Sequence, residues 1–234
     1  MFSDRPALVV TGARKGIGRK LAEHYLASGY RVYGCSRAES DLSDRNYVHV
    51  CCDVCEERAV KELFARVRAE GAQLHGLINN AGVAAMNHVL LTPASVVETL
   101  IRTNYLGTFL CARESGRLMQ TFKSGRIVNF TSVAVSLSLA GEAAYAASKG
   151  AVETLTRVLA RELGVYGITV NAIGPTPVAT DLIAGVPREK IDNLIRRQAI
   201  PRMGTHEDVA NAVDFFLSPA SGLVTGQILY LGGV

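Results

Sequence analysis

Tyr145 and Lys149 lie four residues apart near the start of a predicted helix, in the segment Tyr-Ala-Ala-Ser-Lys. Residues at this spacing share one face of a helix. A free phenol titrates near about pH 10, and a neighbouring ammonium group stabilises its phenolate form. The pair could therefore accept and donate a proton near neutral pH. A half-buried aromatic at a helix start and a solvated lysine are the structural alternative.

Further polar residues precede this pair in the chain. Ser132 follows a predicted strand, 13 residues before Tyr145, and Asn104 lies in a predicted helical region. Residues 79–82, Asn-Asn-Ala-Gly, end another short apolar run. Ser132 could instead cap a turn, Asn104 could be an ordinary polar helix residue, and we expect Asn79 to serve the sheet. No single residue identifies a site, but their order along the chain points to one.

A glycine-rich turn joins the first predicted strand to the first predicted helix. It spans residues 11–18, Thr-Gly-Ala-Arg-Lys-Gly-Ile-Gly, with the spacing G-x-x-x-G-x-G. Glycines let backbone N–H groups approach a phosphate, and the helix N-terminus favours negative charge. A tight structural turn is the alternative. Because the turn opens a β-α-β unit, we predict that it binds a dinucleotide.

The charges near this turn indicate which dinucleotide binds. The second predicted strand is followed by Arg37, and Lys15 lies inside the glycine turn. An acidic residue at the strand end is typical of NAD sites, whereas a 2′-phosphate needs cations there. We therefore predict NADP(H) as the cofactor. Alternatively, both cations are solvated surface residues, and Glu39 and Asp41 partly cancel their field.

The elements that must position these residues alternate between strand and helix patterns. Short apolar runs predict strands at residues 7–10, 31–35, 47–51, 77–78, 126–130, 168–172 and 227–231. Helical spacing of apolar residues predicts helices after the glycine turn, around residues 60–67, and at 95–122, 144–163 and 207–217. Seven such strands alternating with helices predict a mostly parallel sheet covered on both faces. Such a sheet binds ligands at the carboxyl ends of its strands.

Composition excludes several classes of protein. The chain has 234 residues, 48% hydrophobic and 20% charged, which is typical of an ordinary globular protein and which we interpret as one domain over residues 1–234. The net charge of +4 is scattered rather than clustered, which argues against nucleic acid as a partner. The longest apolar runs are far shorter than the ~20 residues of a membrane span. The N-terminus leaves no room for a signal peptide, so we expect a cytoplasmic protein.

Five cysteines, three of them in residues 51–55, raise the alternative of a metal or redox site. The spacing does not match a zinc site, because Cys35 and Cys111 stand alone. In a strand, Cys51 and Cys52 would also point to opposite faces. We therefore predict buried free thiols and no metal site.

Together these motifs resemble those of the short-chain dehydrogenase/reductase family in its core-length form, over essentially the whole chain. The resemblance rests on the Thr-Gly-x-x-x-Gly-Ile-Gly turn, Asp53-Val54, Asn-Asn-Ala-Gly, Asn104, Ser132, Tyr145 with Lys149, and Asn171 leading to Pro175 and Thr180. It implies a single-domain α/β Rossmann fold, with a doubly wound, seven-stranded, mostly parallel sheet and helices on both faces.

The resemblance also implies which residues bind the cofactor. They are Gly12, Arg14, Lys15, Gly16, Ile17, Gly18, Arg37, Asp53, Val54, Asn80, Ala81, Gly82, Tyr145, Lys149, Pro175, Val178 and Thr180. Asp53 and Val54 would hold the adenine, and Lys149 the nicotinamide ribose. Val178 and Thr180 would meet the carboxamide.

The catalytic residues implied by the family are Asn104, Ser132, Tyr145 and Lys149. A ketone reduced by hydride develops negative charge on its oxygen, where a hydrogen-bond donor and a proton donor must converge. Ser132 would stabilise this oxygen and Tyr145 would deliver the proton. Asn104 would hold a water that links Lys149 to solvent.

Within the family, the segments Tyr-Ala-Ala-Ser-Lys-Gly-Ala-Val and Gly-Ile-Thr-Val-Asn look most like those of the bacterial β-ketoacyl (3-oxoacyl) carrier-protein reductases. Family members choose their substrate largely through a loop, expected here at residues 178–202. It carries Asp181, Leu182, Ile183, Val186, Arg188, Lys190, Arg196, Arg197 and Arg202. An apolar wall rimmed by cations would suit an acyl chain on an acidic carrier or a phosphorylated handle. The alternative is an amphipathic lid whose charges keep it soluble.

Three departures from the family pattern bear on substrate and assembly. Thr176 stands between two prolines where the family usually has glycine, and could narrow the pocket. Tyr166 stands where carrier-protein reductases commonly have a basic residue, although Lys123 offers another cation. The chain ends soon after Leu231, which could reduce a subunit contact there. A homotetramer or dimer is expected from the resemblance.

The sequence supports three hypotheses of function. The first is an NADPH-dependent ketoreductase of β-ketoacyl thioesters on a carrier protein, in fatty-acid or polyketide-type synthesis. The second keeps the mechanism and assigns a free small ketone, sugar, polyol, steroid or alcohol. The third is an NADPH-binding regulator without turnover, which the intact set of Ser132, Tyr145, Lys149 and Asn104 disfavours, because a sensor needs no proton donor.

Overall fold

The structure is a computed structural model that describes residues 5–181 and 183–234 of the chain. Residues 1–4, on which the signal-peptide prediction rests, and Leu182 of the predicted substrate loop lie outside the described residues. Within the described ranges, no helix combines the length and the apolar character that a membrane crossing needs.

Seven strands form one sheet in the order β3-β2-β1-β4-β5-β6-β7, and every neighbouring pair is parallel. The strands are β1 (Ala7–Thr11), β2 (Arg31–Ser36), β3 (Tyr47–Cys51), β4 (Leu74–Asn79), β5 (Gly125–Phe130), β6 (Ile168–Gly174) and β7 (Ile228–Tyr230). This confirms the doubly wound α/β sheet predicted from the sequence. The direction of winding reverses between β1 and β4, which is where ligands bind in such sheets.

Eight α-helices connect the strands in the described ranges. They are α1 (Gly16–Ala27), α2 (Glu57–Ala69), α3 (Ala94–Leu100), α4 (Gly107–Met119), α5 (Val133–Leu137), α6 (Ala143–Gly164), α7 (Arg188–Arg196) and α8 (His206–Leu217). Buried side chains of α2, α4 and α6 cover one face of the sheet. Those of α1 and α8 cover the other. Two apolar layers therefore hold the sheet between them.

Burial on both faces explains why the strands appear in the sequence as continuous apolar runs. All five residues of β1 are buried, and β4 is buried except at His75. Parallel strands in such a sheet have no solvent-facing side, so they lack the alternation of half-exposed strands. β4 begins at Leu74, earlier than the run at residues 77–78, because His75 and Gly76 interrupt the apolar pattern.

The long helix predicted over residues 95–122 is interrupted. After α3, residues Ile101–Leu106 form a π-helical turn before α4 continues the direction of the chain. Asn104 is fully buried within this turn. Its amide donates to the carbonyl of Val83 and to the hydroxyl of Ser148, each at 2.9 Å. An apolar periodicity cannot reveal such an insertion, since side-chain contacts outside the helix stabilise it.

The cysteines are reduced and mostly buried. Cys35, Cys52 and Cys111 are buried free thiols, as predicted, and Cys55 is partly buried. Cys51 is exposed, so the prediction of a buried thiol is wrong at this position. Cys51 and Cys52 differ in exposure because adjacent residues at the end of a strand point to opposite faces of the sheet.

Candidate active site

The candidate site lies at the carboxyl ends of the central strands. The glycine turn follows β1, Asn80 follows β4, Ser132 follows β5, and Pro175 follows β6. Parallel strands place their carboxyl ends at one edge, so four segments far apart in the sequence meet there. Asn79, the last residue of β4, serves the sheet as expected, because its buried amide donates to the side chain of Asn129 at 2.9 Å.

The glycine turn is built for close approach of an anion. Gly12 and Gly16 have φ angles of +70° and +59°, a region that favours glycine. A Cβ at Gly18 would overlap the carbonyl group of Gly12 and the amide of Asn80. Lys15 precedes α1 without capping it through its side chain, and the first turn of α1 has no acidic residue. The first N–H groups of α1 are thus available to a phosphate, and the cradle fits a dinucleotide.

Residues after β4 lock this turn in place. The side-chain amide of Asn80 donates to the carbonyl of Thr11 at 2.9 Å. The backbone N–H of Ala81 donates to the hydroxyl of Thr11, also at 2.9 Å. Asn80 and Ala81 therefore contact the glycine turn itself, consistent with their implied place among the cofactor-binding residues.

Lys15 forms an ion pair with a residue of the predicted substrate loop and not with a group at the end of β2. Its ammonium pairs with the carboxylate of Asp181 at 2.9 Å, which connects the glycine turn to the predicted substrate loop. Arg14 and Arg37 are exposed near the turn and after β2. The sequence predicts that Lys15 and Arg37 both bind the 2′-phosphate. The structure leaves Arg37 free for that task and gives Lys15 a partner 166 residues away.

The two acidic residues that could weaken a phosphate site, Asp41 and Glu39, each accept a hydrogen bond from another side chain. Asp41 accepts a hydrogen bond from the guanidinium of Arg19 at 2.5 Å, and this pairing lowers the pKa of the Asp41 carboxyl. Glu39 accepts from the thiol of Cys51 at 3.2 Å. Arg37 is left without an ion pair among the described residues.

Asp53 and Val54 stand just after β3. Asp53 accepts a hydrogen bond from the backbone N–H of Cys55 at 2.9 Å, which forms a local turn. Val54 is buried and packs beside Gly107, where a Cβ would overlap its side chain. The turn therefore holds both residues at the edge of the sheet where an adenine would lie.

Ser132 and Tyr145 face each other across the site. Ser132 has an extended backbone and begins α5, with its hydroxyl accepting from the N–H of Ala134 at 3.2 Å. Tyr145, on the first turn of α6, is buried with 9% of its surface exposed. Burial raises its pKa to about 12, and hydrogen bonding to Ser132 opposes the rise. The phenol is therefore protonated at neutral pH and able to donate.

Lys149 lies one turn after Tyr145 and is also buried. Its ammonium donates to the carbonyl of Phe130 at 2.9 Å. Burial lowers the pKa of Lys149 to about 8. The sequence predicts that Lys149, together with the positive charge of the oxidised nicotinamide, favours the phenolate of Tyr145. In the structure, burial raises the pKa of the phenol. A proton on Lys149 is lost and regained close to neutral pH.

Asn104 supports the site through the segment after β4. Its side-chain carbonyl accepts from the N–H of Val83 and its amide donates to the carbonyl of the same residue, both at 2.9 Å. A Cβ at Gly82 would lie 3.2 Å from the Asn104 oxygen and 3.3 Å from the Lys149 ammonium nitrogen. Glycine at this position allows the two side chains to approach each other. The water relay implied for Asn104 stays a prediction.

A cavity of about 380 Å³ opens beside these residues. Ser132, Tyr145 and Lys149 line it together with Pro175, Val178 and Thr180, the residues implied for the nicotinamide end. Its other described walls are mostly apolar. They include Ile17, Val83, Ala84, Ala85, Met86, Val133, Leu139, Pro177, Ile183, Val186 and Leu194.

Two polar residues of the cavity were not assigned a role by the sequence. Glu142 lines it, three residues before Tyr145, and no motif marked it. Thr176 also lines it, and its hydroxyl is buried without a hydrogen-bond partner among the described residues. The sequence signal for Thr176 was its place between two prolines, in a position where the family usually has glycine.

The predicted substrate loop contains a helix that sequence reasoning missed. Ile183 and Val186 line the cavity, as the apolar wall required. α7 follows them, and Arg188 and Lys190 at its start are exposed at the rim. Arg202 instead pairs with Asp208 at 2.7 Å, so it stabilises the start of α8.

Lys149 makes a pH-dependent contribution to stability that can be measured. Its pKa is about 8 in the folded chain and 10.5 ordinarily, so the unfolded chain binds more protons between these values and stability rises with pH there. We expect the free energy of unfolding to rise by about 2 kcal/mol more in the wild type than in Lys149→Met between pH 7.5 and 10. Urea unfolding at each pH measures this difference.

The exposed residue Lys20 supplies the control for that experiment. Lys20→Met should follow the wild-type pH profile, because a lysine on the surface keeps similar surroundings in both states. Parallel profiles for the wild type and Lys149→Met would contradict the lowered pKa.

An anion cradle and a buried phenol that holds its proton meet at one edge of a parallel sheet. This combination can bind a dinucleotide and donate a proton to a reacting group, and the fold and the site place the protein among the dinucleotide-dependent oxidoreductases. A family model described as Enoyl-(Acyl carrier protein) reductase matches residues 12–233. The chain belongs to the short-chain dehydrogenase/reductase family.

Individual relatives agree with this membership. The chain is 34% identical to the short-chain reductase protein NovJ of Streptomyces niveus, over 99% of this chain and 94% of that protein. It is 30% identical to the 3-oxoacyl-[acyl-carrier-protein] reductase FabG of Escherichia coli strain K12, over 99% and 97%. The solved structure titled "ElxO with NADP Bound" superposes with a TM-score of 0.89 at 26% identity, over 97% of each chain.

Proposed function

We propose that the protein is an NADPH-dependent ketoreductase whose substrate is a β-ketoacyl thioester on an acyl carrier protein. The observation that carries the reductase assignment is the pair of facing hydroxyls, Ser132 and Tyr145, in a cavity at the switch point of the sheet. A carbonyl oxygen placed there meets a hydrogen-bond donor and a proton donor at once.

The glycine turn and the N-terminus of α1 would hold the pyrophosphate of the cofactor, and Val178 and Thr180 its carboxamide. NADPH, when bound, supplies the hydride. Ser132 stabilises the negative charge that develops on the substrate oxygen, and Tyr145 transfers its phenolic proton to that oxygen. The apolar cavity walls exclude water and strengthen both interactions.

Lys149 then restores the proton on Tyr145. Its pKa of about 8 lets it lose and regain a proton under ordinary conditions, whereas the pKa of Tyr145 near 12 favours recovery of the phenol. Asn104 would hold the water through which that proton arrives. Its side-chain oxygen and the Lys149 ammonium both lie beside Gly82, which supports this role.

The choice of NADPH over NADH rests on Arg37. This guanidinium follows β2, is exposed, and has no acidic partner among the described residues. Asp41 pairs with Arg19, which offsets its negative charge near Arg37. The superposed ElxO structure contains NADP, which supports the same choice.

The thioester assignment is supported by the FabG relative and by the shape of the site. An acyl chain would lie along the apolar walls, and the exposed cations at the start of α7 would face an acidic carrier. On this assignment the protein serves fatty-acid or polyketide-type synthesis in the cytoplasm as a homotetramer or homodimer.

A free small ketone or alcohol is the second candidate substrate. Tyr166 is exposed where the carrier-protein reductases commonly have a basic residue, which weakens carrier docking on that side. The carboxyl group of Glu142 in the cavity also favours a polar substrate over a plain acyl chain.

One assay separates these candidates. Purified protein is given NADPH or NADH with a β-ketoacyl thioester on acyl carrier protein, and in parallel with its pantetheine thioester and with free ketones. We expect NADPH consumption to be fastest with the carrier-bound thioester. Reduction of free ketones alone would overturn the thioester assignment, and no consumption with any carbonyl would overturn the reductase.

A further inference from the structure

The cavity beside Tyr145 contains a carboxyl group for which the reduction has no use. Glu142 is the only acidic side chain among the described residues that line this cavity. It precedes Tyr145 by three residues, and both side chains line the same cavity. The reaction itself needs a hydrogen-bond donor and a proton donor, which Ser132 and Tyr145 already provide.

The local backbone directs Glu142 away from its usual role at a helix start. Gly141, with a φ of +85°, turns the chain so that Glu142 immediately precedes α6. Residues in this position commonly accept from the first N–H groups of the helix, but the side chain of Glu142 makes no such bond. Among the described residues it has no hydrogen-bond or ion-pair partner.

The charged groups around Glu142 do not replace the missing hydrogen-bond donor. Burial raises the pKa of its carboxyl, and the positive charge of Lys190 lowers it to a smaller extent. Lys190 directs its ammonium to the sulfur of Met86 at 3.3 Å and does not pair with Glu142. The negative charge of Glu142 in turn contributes to the raised pKa of Tyr145. A partly buried carboxyl without a donor is costly unless a ligand supplies one.

We propose that Glu142 determines specificity by binding a hydrogen-bond donor of the substrate, a hydroxyl or an ammonium group within two or three bonds of the reacting carbonyl. The position follows from the cavity, because Glu142 and Tyr145 both line it and Tyr145 meets the carbonyl oxygen. Substrates with such a donor are selected over their unsubstituted analogues, and an anionic group at this position is rejected. The inference rests on the proposed reductase activity but not on the thioester assignment.

A matched set of free ketones tests this inference. Butan-2-one, 1-hydroxybutan-2-one and 1-aminobutan-2-one differ only in the group next to the carbonyl. We expect Glu142→Gln to lower the preference for the hydroxyketone over butan-2-one, measured as the ratio of kcat/KM values, by about 10-fold. The preference for the aminoketone should fall by about 100-fold, because the amide keeps an acceptor but loses the charge.

Glu189→Gln is the matched control. Glu189 lies on α7 near the cavity but is exposed and does not line it, so the same change of charge there should leave both ratios as in the wild type. Equal ratios in the wild type and Glu142→Gln would overturn the inference. So would an equal loss with all three ketones in Glu142→Gln and Lys190→Met, which would indicate instead that the two residues pair with each other.

A binding measurement keeps this inference separate from the reductase proposal. Butane-1,2-diol, 1-aminobutan-2-ol and butan-2-ol are titrated into the wild type and Glu142→Gln with NADP⁺ present, and binding is followed by ligand-detected NMR. Tighter binding of the first two that is lost in Glu142→Gln, without reduction of any ketone, would support Glu142 and overturn the reductase. Ketone reduction without this binding preference would support the reductase and overturn the role of Glu142. Neither reduction nor preferential binding would overturn both proposals.

Discussion

Replacing Tyr145 with phenylalanine is expected to lower kcat/KM for carbonyl reduction by about 10³- to 10⁴-fold. The substitution removes one oxygen atom, which supplies the proton in the proposed mechanism and is hydrogen-bonded to Ser132. The ring still fills its buried place at the start of α6, so the fold and the glycine turn should be unaffected. The measurement is NADPH oxidation at saturating cofactor, beside fluorescence titration of NADPH binding, which should change by less than about twofold.

Tyr166→Phe is the control for that experiment. Tyr166 is 40% exposed after α6, outside the cavity, and its loss of a hydroxyl should leave reduction unchanged. Residual activity of Tyr145→Phe above about one tenth of the wild type would show that another group delivers the proton. A loss of NADPH binding equal to the loss of activity would assign Tyr145 to cofactor binding instead.

The second large effect concerns the cofactor. Arg37→Ser should lower kcat/KM for NADPH by about 10- to 100-fold and leave kcat/KM for NADH within about twofold. The guanidinium is free of ion pairs with described residues, and a planar donor fork suits a 2′-phosphate that NADH lacks. Initial rates with both coenzymes, at one fixed carbonyl concentration, give the comparison.

Arg45→Ser provides the matched loss of charge. Arg45 is exposed between β2 and β3, so its removal tests whether net positive charge alone attracts NADPH. Arg45→Ser should lower the rate with NADPH and the rate with NADH by less than about twofold each. If Arg37→Ser slowed both coenzymes equally, its role would be structural, and the cations in the glycine turn would have to account for the selection of NADPH.

The strands and most helices were predictable because their signals are local. A parallel strand buried on both faces is a continuous apolar run, so β1, β2, β5 and β6 were located to within two residues at each end. The Tyr145 and Lys149 spacing, the glycine turn and the segment after β4 are likewise visible in a few adjacent residues. Their meeting at one edge follows from the parallel topology, which the alternation of strands and helices already predicts.

Other features depend on contacts between distant residues. The sequence predicts Lys15 to be a phosphate ligand. In the structure, its ammonium group pairs with the carboxylate of Asp181, which lies 166 residues later. The helical region predicted over residues 95–122 contains a π-helical turn where the buried side chain of Asn104 bonds to Val83 and Ser148. No window along the chain contains both members of either contact.

The amino-acid sequence by itself determined the class of fold, the family and the set of residues that could reduce a carbonyl, because these follow from local patterns and their order. The tertiary structure decided the proton affinities of that set, since burial raises the pKa of Tyr145 and lowers that of Lys149. It also decided that Glu142 faces the substrate cavity rather than capping α6. Burial and direction are properties of the packed chain, and residue type and spacing do not contain them.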